Sequence, residues 1–464
     1  MEVTKTISYL DGLNEQQREA VISTGRPLLV LAGAGTGKTR VVTRRIAHLI
    51  ASGVSADGIL AATFTKKAAL EMQMRVADIL GKTTTRPMIC TLHALGYRIL
   101  AENGVCRTKP GRVNLISPAE QRQIVARLLT TYDPAGHFDH HVTIREIGQA
   151  KSTTTVRKQT NGHGEHFETI VDAYNRILAS IKGVDFDDLL LRPVQMLRAS
   201  QELRSRYQQR WQHILVDEYQ DTNAVQQALI RLLVGAERNI CVVGDDDQSI
   251  YGFRGASIDT ILNFECEFSG ARVIKLEMNY RSCEEILSVA NAVIGRSISR
   301  FPKRLQSQCG SGGLVVRERA LNETAESKQI VDQLVERKRC GRRWRDMAVL
   351  FRVGSDSKDI RIELKQRDIP FQSSAEQSTE DQVPVMTLHR SKGLEFPVVF
   401  LPAIEEDTLP HYYSSLASDG IEEERRLFYV GVTRAQQELV LSTCSVRRGR
   451  LRTVSRFLSE VGLQ

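Results

Sequence analysis

Residues 32–39 read Ala32-Gly33-Ala34-Gly35-Thr36-Gly37-Lys38-Thr39, the spacing of a phosphate-binding loop. Small residues allow successive backbone N–H groups to close around phosphate oxygens. The lysine then reaches the β- and γ-phosphates, and the hydroxyl after it ligates Mg²⁺. An apolar run at 28–31 leads into the loop, and a helical stretch at 40–50, beginning with Arg40, leads out of it. A glycine-rich turn with a chance lysine would lack that setting. Asp217-Glu218 supplies the other half of the chemistry. An aspartate at a strand end can hold Mg²⁺, and a neighbouring glutamate can orient and deprotonate the attacking water. A bare acidic pair is ordinarily a solvated surface pair, but this one ends the apolar run 214–216. Phosphoryl transfer also needs cations at the γ-phosphate, where an arginine finger contributes about 10³–10⁵ in rate. Spacing alone does not choose that arginine from the many this chain carries.

The elements that must position these groups show in the apolar runs. Those at 28–31, 59–62, 214–216 and 240–243 each end in a polar cluster. They read as buried parallel strands, and open α/β sheets bind ligands at the carboxyl ends of such strands. A second series lies at 314–316, 347–351, 385–388, 398–401 and 439–441. Residues 96–209 are mostly polar and helical, with a soft stretch at 152–166, and read as a helical insertion between strands of the first sheet. No solenoid-type repeat is visible.

Composition bounds the answer. At 464 residues with 41% hydrophobic and 25% charged side chains, the chain is expected to form two or more packed domains. A net charge of +8 favours a polyanionic partner, because neutralised phosphates release counterions. Eight cysteines are scattered singly, as expected of reduced thiols in a cytoplasmic protein. No apolar run approaches the roughly 18 residues of a membrane span, and residues 1–11 lack the pattern of a signal peptide. A cytoplasmic protein with no membrane partner is expected.

Further along, the residues resemble the UvrD/Rep/PcrA group of superfamily 1 helicases over nearly the whole chain, in motif order. Leu13-Asn14-Glu15-Gln16-Gln17-Arg18 looks like the Q motif, and the family's phosphate loop normally begins with alanine, as Ala32 does. Thr63-Phe64-Thr65-Lys66 resembles motif Ia, Thr91-Leu92-His93 motif Ib, and Asp217-Glu218-Tyr219-Gln220 motif II. Val184-Asp185-Phe186-Asp187-Asp188 resembles the segment that returns the chain from the insertion. Gly244-Asp245-Asp246-Asp247-Gln248 through Tyr251, Phe253 and Arg254 is similar to motif III, and Asn279-Tyr280-Arg281-Ser282 to motif IV. Thr387-Leu388-His389-Arg390 through Glu395 looks like motif V, and Glu422 through Thr433-Arg434 like motif VI.

The resemblance implies an α/β fold of two RecA-like P-loop NTPase domains with parallel sheets flanked by helices. Residues 1–95 and 210–280 would form the ATP-binding domain 1A, residues 96–209 the helical insertion 1B, and residues 281–464 domain 2A. ATP would bind between the two domains. Gln17 would read adenine, Tyr280 stack on it and Glu395 hold the ribose, while Lys38 and residues 32–40 take the phosphates. Thr39 and Asp217 would hold Mg²⁺, Glu218 activate water, Gln248 sense the γ-phosphate, and Arg281 and Arg434 act as fingers. DNA would meet Thr63, Phe64, Thr65, Lys66, His93, Tyr251, Phe253, Arg254, Thr387 and His389. The implied activity is ATP-dependent translocation on single-stranded DNA with 3′→5′ unwinding at single-strand/duplex junctions, using ATP and Mg²⁺.

Three departures qualify the likeness. Phe253 replaces the usual tryptophan platform, which would weaken base stacking worth about 1–3 kcal/mol per base. Lys66 replaces the usual asparagine and adds charge. Relatives insert a large subdomain, 2B, before motif V, where this chain has only a short loop at about 372–384. The alternative is therefore a DNA-stimulated ATPase that needs a protein partner in place of 2B to unwind. A non-catalytic scaffold is the other alternative, opposed by intact Lys38, Asp217, Glu218, Gln248, Arg281 and Arg434. The histidines 137, 140, 141, 163 and 166 read as solvated loop residues rather than zinc ligands. The cluster at 337–345 reads equally as a charged surface or a DNA patch. The run 151–158 reads as a surface loop or a duplex contact, and Arg447, Arg448, Arg450, Arg452 and Arg456 as a basic tail.

Overall fold

A computed structural model describes residues 9–81, 85–109, 112–152, 164–372, 380–417 and 419–462. The chain forms two compact units. One comprises Met1–Val30, Thr39–Gly244 and Tyr251–Ile274, and the other Leu31–Lys38, Asp245–Ile250 and Lys275–Gln464.

The first sheet runs, in spatial order, Met88–Thr91, Ile59–Thr63, His213–Val216, Ile240–Gly244, Leu28–Ala32 and Arg272–Leu276. Its pairing is parallel where Ala62 lies opposite both Cys90 and Val216. Every residue of Leu28–Ala32, Ile59–Thr63 and Ile240–Gly244 is buried. Strands covered on both faces cannot alternate polar and apolar residues, so they read as continuous apolar runs. The two edge strands escaped the sequence reading for the opposite reason. Arg272–Leu276 carries Arg272 and Lys275, and Met88–Thr91 alternates half-buried with buried positions. The helix Lys38–Ala51 buries Val41, Val42, Ile46 and Leu49, one face at helical spacing. Arg45 on the same helix is also buried. Its guanidinium donates to the carbonyls of Ala20 and Val21 at 2.9 and 3.2 Å, supplying partners for the last turn of Glu15–Ile22.

Between residues 96 and 209 the described elements are helices apart from the short antiparallel pair Arg107–Lys109 and Arg112–Val113. Pro118–Tyr132, His140–Ser152 and Gly164–Ser180 share a core of Val125, Leu128, Ile147, Ile170, Tyr174 and Leu178. Lys151 is not a surface residue as its basic run implied. Its ammonium is buried 2.7 Å from Asp185 and 3.0 Å from Asp188, and Tyr174 also donates to Asp185. The rest of that run, 153–158, lies outside the described residues, as does His163. His137 pairs with Asp133 at 2.9 Å and His140 meets the Arg122 carbonyl at 2.8 Å. Among the described residues neither joins a group of three candidate metal ligands.

The second sheet runs Leu314–Asn322, Ala435–Arg447, Phe396–Leu401, Met347–Phe351, Val383–Thr387 and Phe371–Gln372, with parallel pairing throughout this series. All five expected runs lie on it, except that Leu388 starts the short helix Leu388–Ser391 instead of ending a strand. Ile330, Val331, Val349, Phe400 and Val440 belong to its core. The supposed basic tail is folded structure. Ala435–Arg447 crosses the sheet and turns antiparallel into Arg450–Leu451. Arg447 is buried between Glu326 at 2.5 Å and Glu405 at 2.7 Å, Arg448 pairs with Asp356, and Arg456 lies 2.9 Å from Glu406. The 337–345 cluster is also largely paired, with Arg337 on Glu438, Lys338 on Asp381 and Arg343 on Asp346. Of the short loop before motif V, residues 373–379 lie outside the described residues. Among the described residues no helix is long and apolar enough to cross a membrane.

Candidate functional site

The phosphate loop leaves the strand Leu28–Ala32 and ends where Lys38 opens the helix Lys38–Ala51. Thr36 Oγ1 closes it by donating to the Gly33 carbonyl at 2.8 Å. Gly35 is required here on two grounds. Its φ is +68°, and a Cβ would meet Asn279 Nδ2 at 2.6 Å and Arg281 Cβ at 2.7 Å. Asn279 is the brace, with Nδ2 donating to the Ala34 carbonyl at 2.7 Å and Oδ1 accepting from the N–H groups of Arg281 and Ser282. The Tyr280 N–H donates to Gly35 at 3.0 Å while its ring is 44% exposed. Lys38 Nζ donates to the Ala32 carbonyl at 3.1 Å. Gly37 and Thr39 are half-buried, and Arg40 is exposed. Gln17 is buried, and its Oε1 accepts from the Asn14 N–H in a capping box at the start of Glu15–Ile22.

Asp217 follows His213–Val216 and is held by its N–H on the Ala62 carbonyl at 2.9 Å. Glu218 has φ +53°, a left-handed conformation that costs a non-glycine residue about 1–3 kcal/mol and is typical of functional turns. Gln220 Nε2 donates to Glu218 at 2.6 Å, fixing the carboxylate.

Asp245, Asp246 and Asp247 are buried, and Gln248 Nε2 donates to Asp245 Oδ2 at 2.5 Å. Among the described residues they are the one group of three candidate metal ligands, but a cation of the chain already serves them. Lys303 Nζ lies 3.1 Å from Asp245 and 2.6 Å from Asp247, and contacts Asp246 as well. Burial would raise the Asp245 carboxyl, yet Lys303 and Lys38 hold it below its ordinary range. Burial would equally lower the Lys303 ammonium, and the three carboxylates drive it the other way. Arg281 and Glu395 are ion-paired at 2.6 Å, and Arg281 also donates to the Thr433 carbonyl. Arg434 is 1% exposed and donates to the carbonyls of Val430 and Leu394 and to Thr433 Oγ1.

On the first unit a cavity of about 570 Å³ is lined by Thr63, Phe64, Thr65, His93, Phe253 and Arg254, and by Asp217 and Glu218. Phe64 stacks on Tyr251 with centroids 5.3 Å apart, and the Arg254 guanidinium lies over both Tyr251 and Phe253. His93 stacks on Phe186 at 4.1 Å, and burial pushes its pKa down to about 4, so the ring is neutral at neutral pH. Lys66 is exposed at the start of Lys66–Leu80 and does not line the cavity. Thr387 and His389 belong to the other unit, half-buried where Val383–Thr387 meets Leu388–Ser391.

Sequence reasoning missed Arg145, Gly148 and Gln149, which line the same cavity with Phe186 and Asp187. It also missed Arg300 and Lys303. A lone Arg-Phe-Pro-Lys stretch carries no periodic signal, so only the fold reveals their partners.

Residues 13–269 match the family model of the UvrD/REP helicase N-terminal domain, and 274–378 with 372–446 match that of the UvrD-like helicase C-terminal domain. An ATP-dependent DNA helicase PcrA of Leuconostoc citreum is 38% identical over 372 residues, covering 78% of this chain and 49% of the relative. One of the same name from Staphylococcus epidermidis is 36% identical over 388 residues, covering 82% and 53%. The chain thus spans about half the length of the curated relatives it matches. With the phosphate loop, the Asp217-Glu218 turn and the aromatic cavity all in place, the chain belongs to the UvrD/REP helicase family.

Proposed function

We propose that this chain is a cytoplasmic, ATP-driven motor that moves on single-stranded DNA and separates strands at single-strand/duplex junctions with 3′→5′ polarity. The observation that carries the reading is the cavity of the first unit. It joins the stacked aromatics expected to grip bases to the Asp217-Glu218 pair expected to drive hydrolysis. A shared cavity gives the two chemistries a short mechanical path, and stacking grips any sequence because every base has a π-face.

In this reading Lys38 and the N–H groups of residues 32–40 bind the triphosphate. Gln17, Tyr280 and Glu395 recognise adenine and ribose. Glu218 takes the proton of the attacking water, and its strained, hydrogen-bonded setting keeps the carboxylate aimed. Gln248 senses the γ-phosphate. Arg281 must leave Glu395, and Arg434 its carbonyl partners, to neutralise developing charge, so both fingers act only when nucleotide competes for them. The hard oxygen donors Thr39 and Asp217 suit Mg²⁺, which when bound neutralises charge on the β- and γ-phosphates. Thr387, His389 and the cavity residues would hold the strand, with Lys66 adding charge beside it.

The domains proposed are 1A at 1–95 and 210–280, 1B at 96–209 and 2A at 281–464, with no 2B. Only ten residues separate Gln372 from Val383, and that favours a second reading in which unwinding needs a protein partner. Lys38→Ala should lower DNA-stimulated phosphate release by at least about 100-fold while the fold persists by circular dichroism. Undiminished turnover would sink the active-site assignment. Strand displacement on 3′- and 5′-tailed duplexes by the purified chain separates the two readings: unwinding without a partner favours the first.

A further inference from the structure

Between the helix Glu284–Ile294 and the strand Gln306–Ser307 runs a connecting segment in which Arg300, Phe301 and Lys303 bond to the loop at Asp245–Asp247. The Lys303 side chain is only 2% exposed. A buried ammonium stays charged only when paired, and three neighbouring carboxylates could not all ionise without a cation among them. Lys303 answers both needs by meeting Asp245, Asp246 and Asp247 together. Arg300 adds two bonds to Asp247, at 2.9 and 2.8 Å, and the Phe301 N–H one to Asp246 at 2.8 Å.

The consequence reaches Gln248. Asp245 gives Oδ1 to Lys303 and Oδ2 to the Gln248 amide. A carboxylate only accepts, so the amide must turn its nitrogen to Asp245 and its oxygen away. The same segment then packs Leu305 against Gly33 of the phosphate loop and pairs Gln306–Ser307 in parallel with Met278–Asn279. Asn279 in turn braces Ala34. One strap therefore ties the phosphate loop, the brace and Gln248 together.

We propose that Lys303 is a positioning residue for the γ-phosphate: through Asp245 it fixes the Gln248 amide, and so lets the site tell ATP from ADP. The proposal rests on the ATPase reading above. It is tested by fluorescence titration of the full chain with a non-hydrolysable ATP analogue and with ADP. Lys303→Met should reduce the preference for the analogue by about tenfold, within the range for coupled polar neighbours, with ADP affinity little changed. The double variant with Gln248→Ala should match Gln248→Ala alone. An unchanged preference in Lys303→Met, or losses that multiply in the double variant, overturns the proposal. Should Lys303→Met fail to fold, Lys303→Arg keeps the cation but not its single-point contact with three carboxylates. A severalfold loss of preference is then expected, and none overturns the idea. A wild-type chain without γ-phosphate preference and without DNA-stimulated hydrolysis overturns the ATPase reading too. Wild-type preference that survives in the variants overturns only the role of Lys303.

Discussion

Asp187 shows what a single side chain adds to the cavity. Burial, then the neighbouring Asp185, raises its carboxyl from 3.8 to about 6, against the opposing pull of Lys151. A folded-state pKa above the unfolded one means that the native state binds the extra proton. Stability is then greatest below the ordinary value and is lost as pH rises through about 6. Asp187→Asn should therefore melt higher than the parent at pH 8, by roughly 2–4 °C per kcal/mol recovered, with the gap closing below about pH 4. Thermal scans at both pH values check this, and a gap independent of pH would refute the assignment. His93 works in the opposite sense. Its lowered pKa removes stability as pH falls from 6.5 towards about 4, and buffers for the Asp187 test must bracket that window. Lys38 and Asp217 were legible in the sequence because each ends an apolar run. Asp187 and Lys303 were not, because their meaning comes from partners distant in the chain, and no spacing rule encodes those.

Elements were read better where burial was complete. Fully buried strands announced themselves and the edge strands Met88–Thr91 and Arg272–Leu276 did not, while the edge strand Leu314–Asn322 showed only through its apolar start at 314–316. Charged residues misled most, since Lys151 and Arg447 look in sequence like surface cations but are buried pins. Lys151 joins the helix His140–Ser152 to the start of Asp188–Ala199. Lys151→Met would leave Asp185 buried without its cation and Asp188 with only Arg192 at 3.5 Å, a loss of about 3–5 kcal/mol. Urea unfolding should register it as an early transition of the insertion. Coincidence with the parent curve would show that the pair contributes nothing net.

For the molecule as a whole, a charge of +8 makes grip on a polyanion depend on salt. For single strands log K falls with log[salt] at a slope near −0.7 per phosphate neutralised. With roughly four contacts the slope should be about −3 in filter binding of oligo-dT. A slope near zero would mean that stacking alone holds the strand. The alignments cover only about half of each curated relative, so strand displacement by the purified chain measures directly how much of such an activity it carries.

The strand Ala435–Arg447 lies between Leu314–Asn322 and Phe396–Leu401. Seen from the ribosome, this sheet is assembled out of order. Its outer strand emerges early and then waits for a neighbour encoded roughly a hundred residues later, on the order of 5–20 s at ordinary elongation rates. Glu326 emerges just after the outer strand and Glu405 some eighty residues later, so each carboxylate stays in water until Arg447 arrives to bury it. The buried pair thus closes only after the strand Ala435–Arg447 is complete.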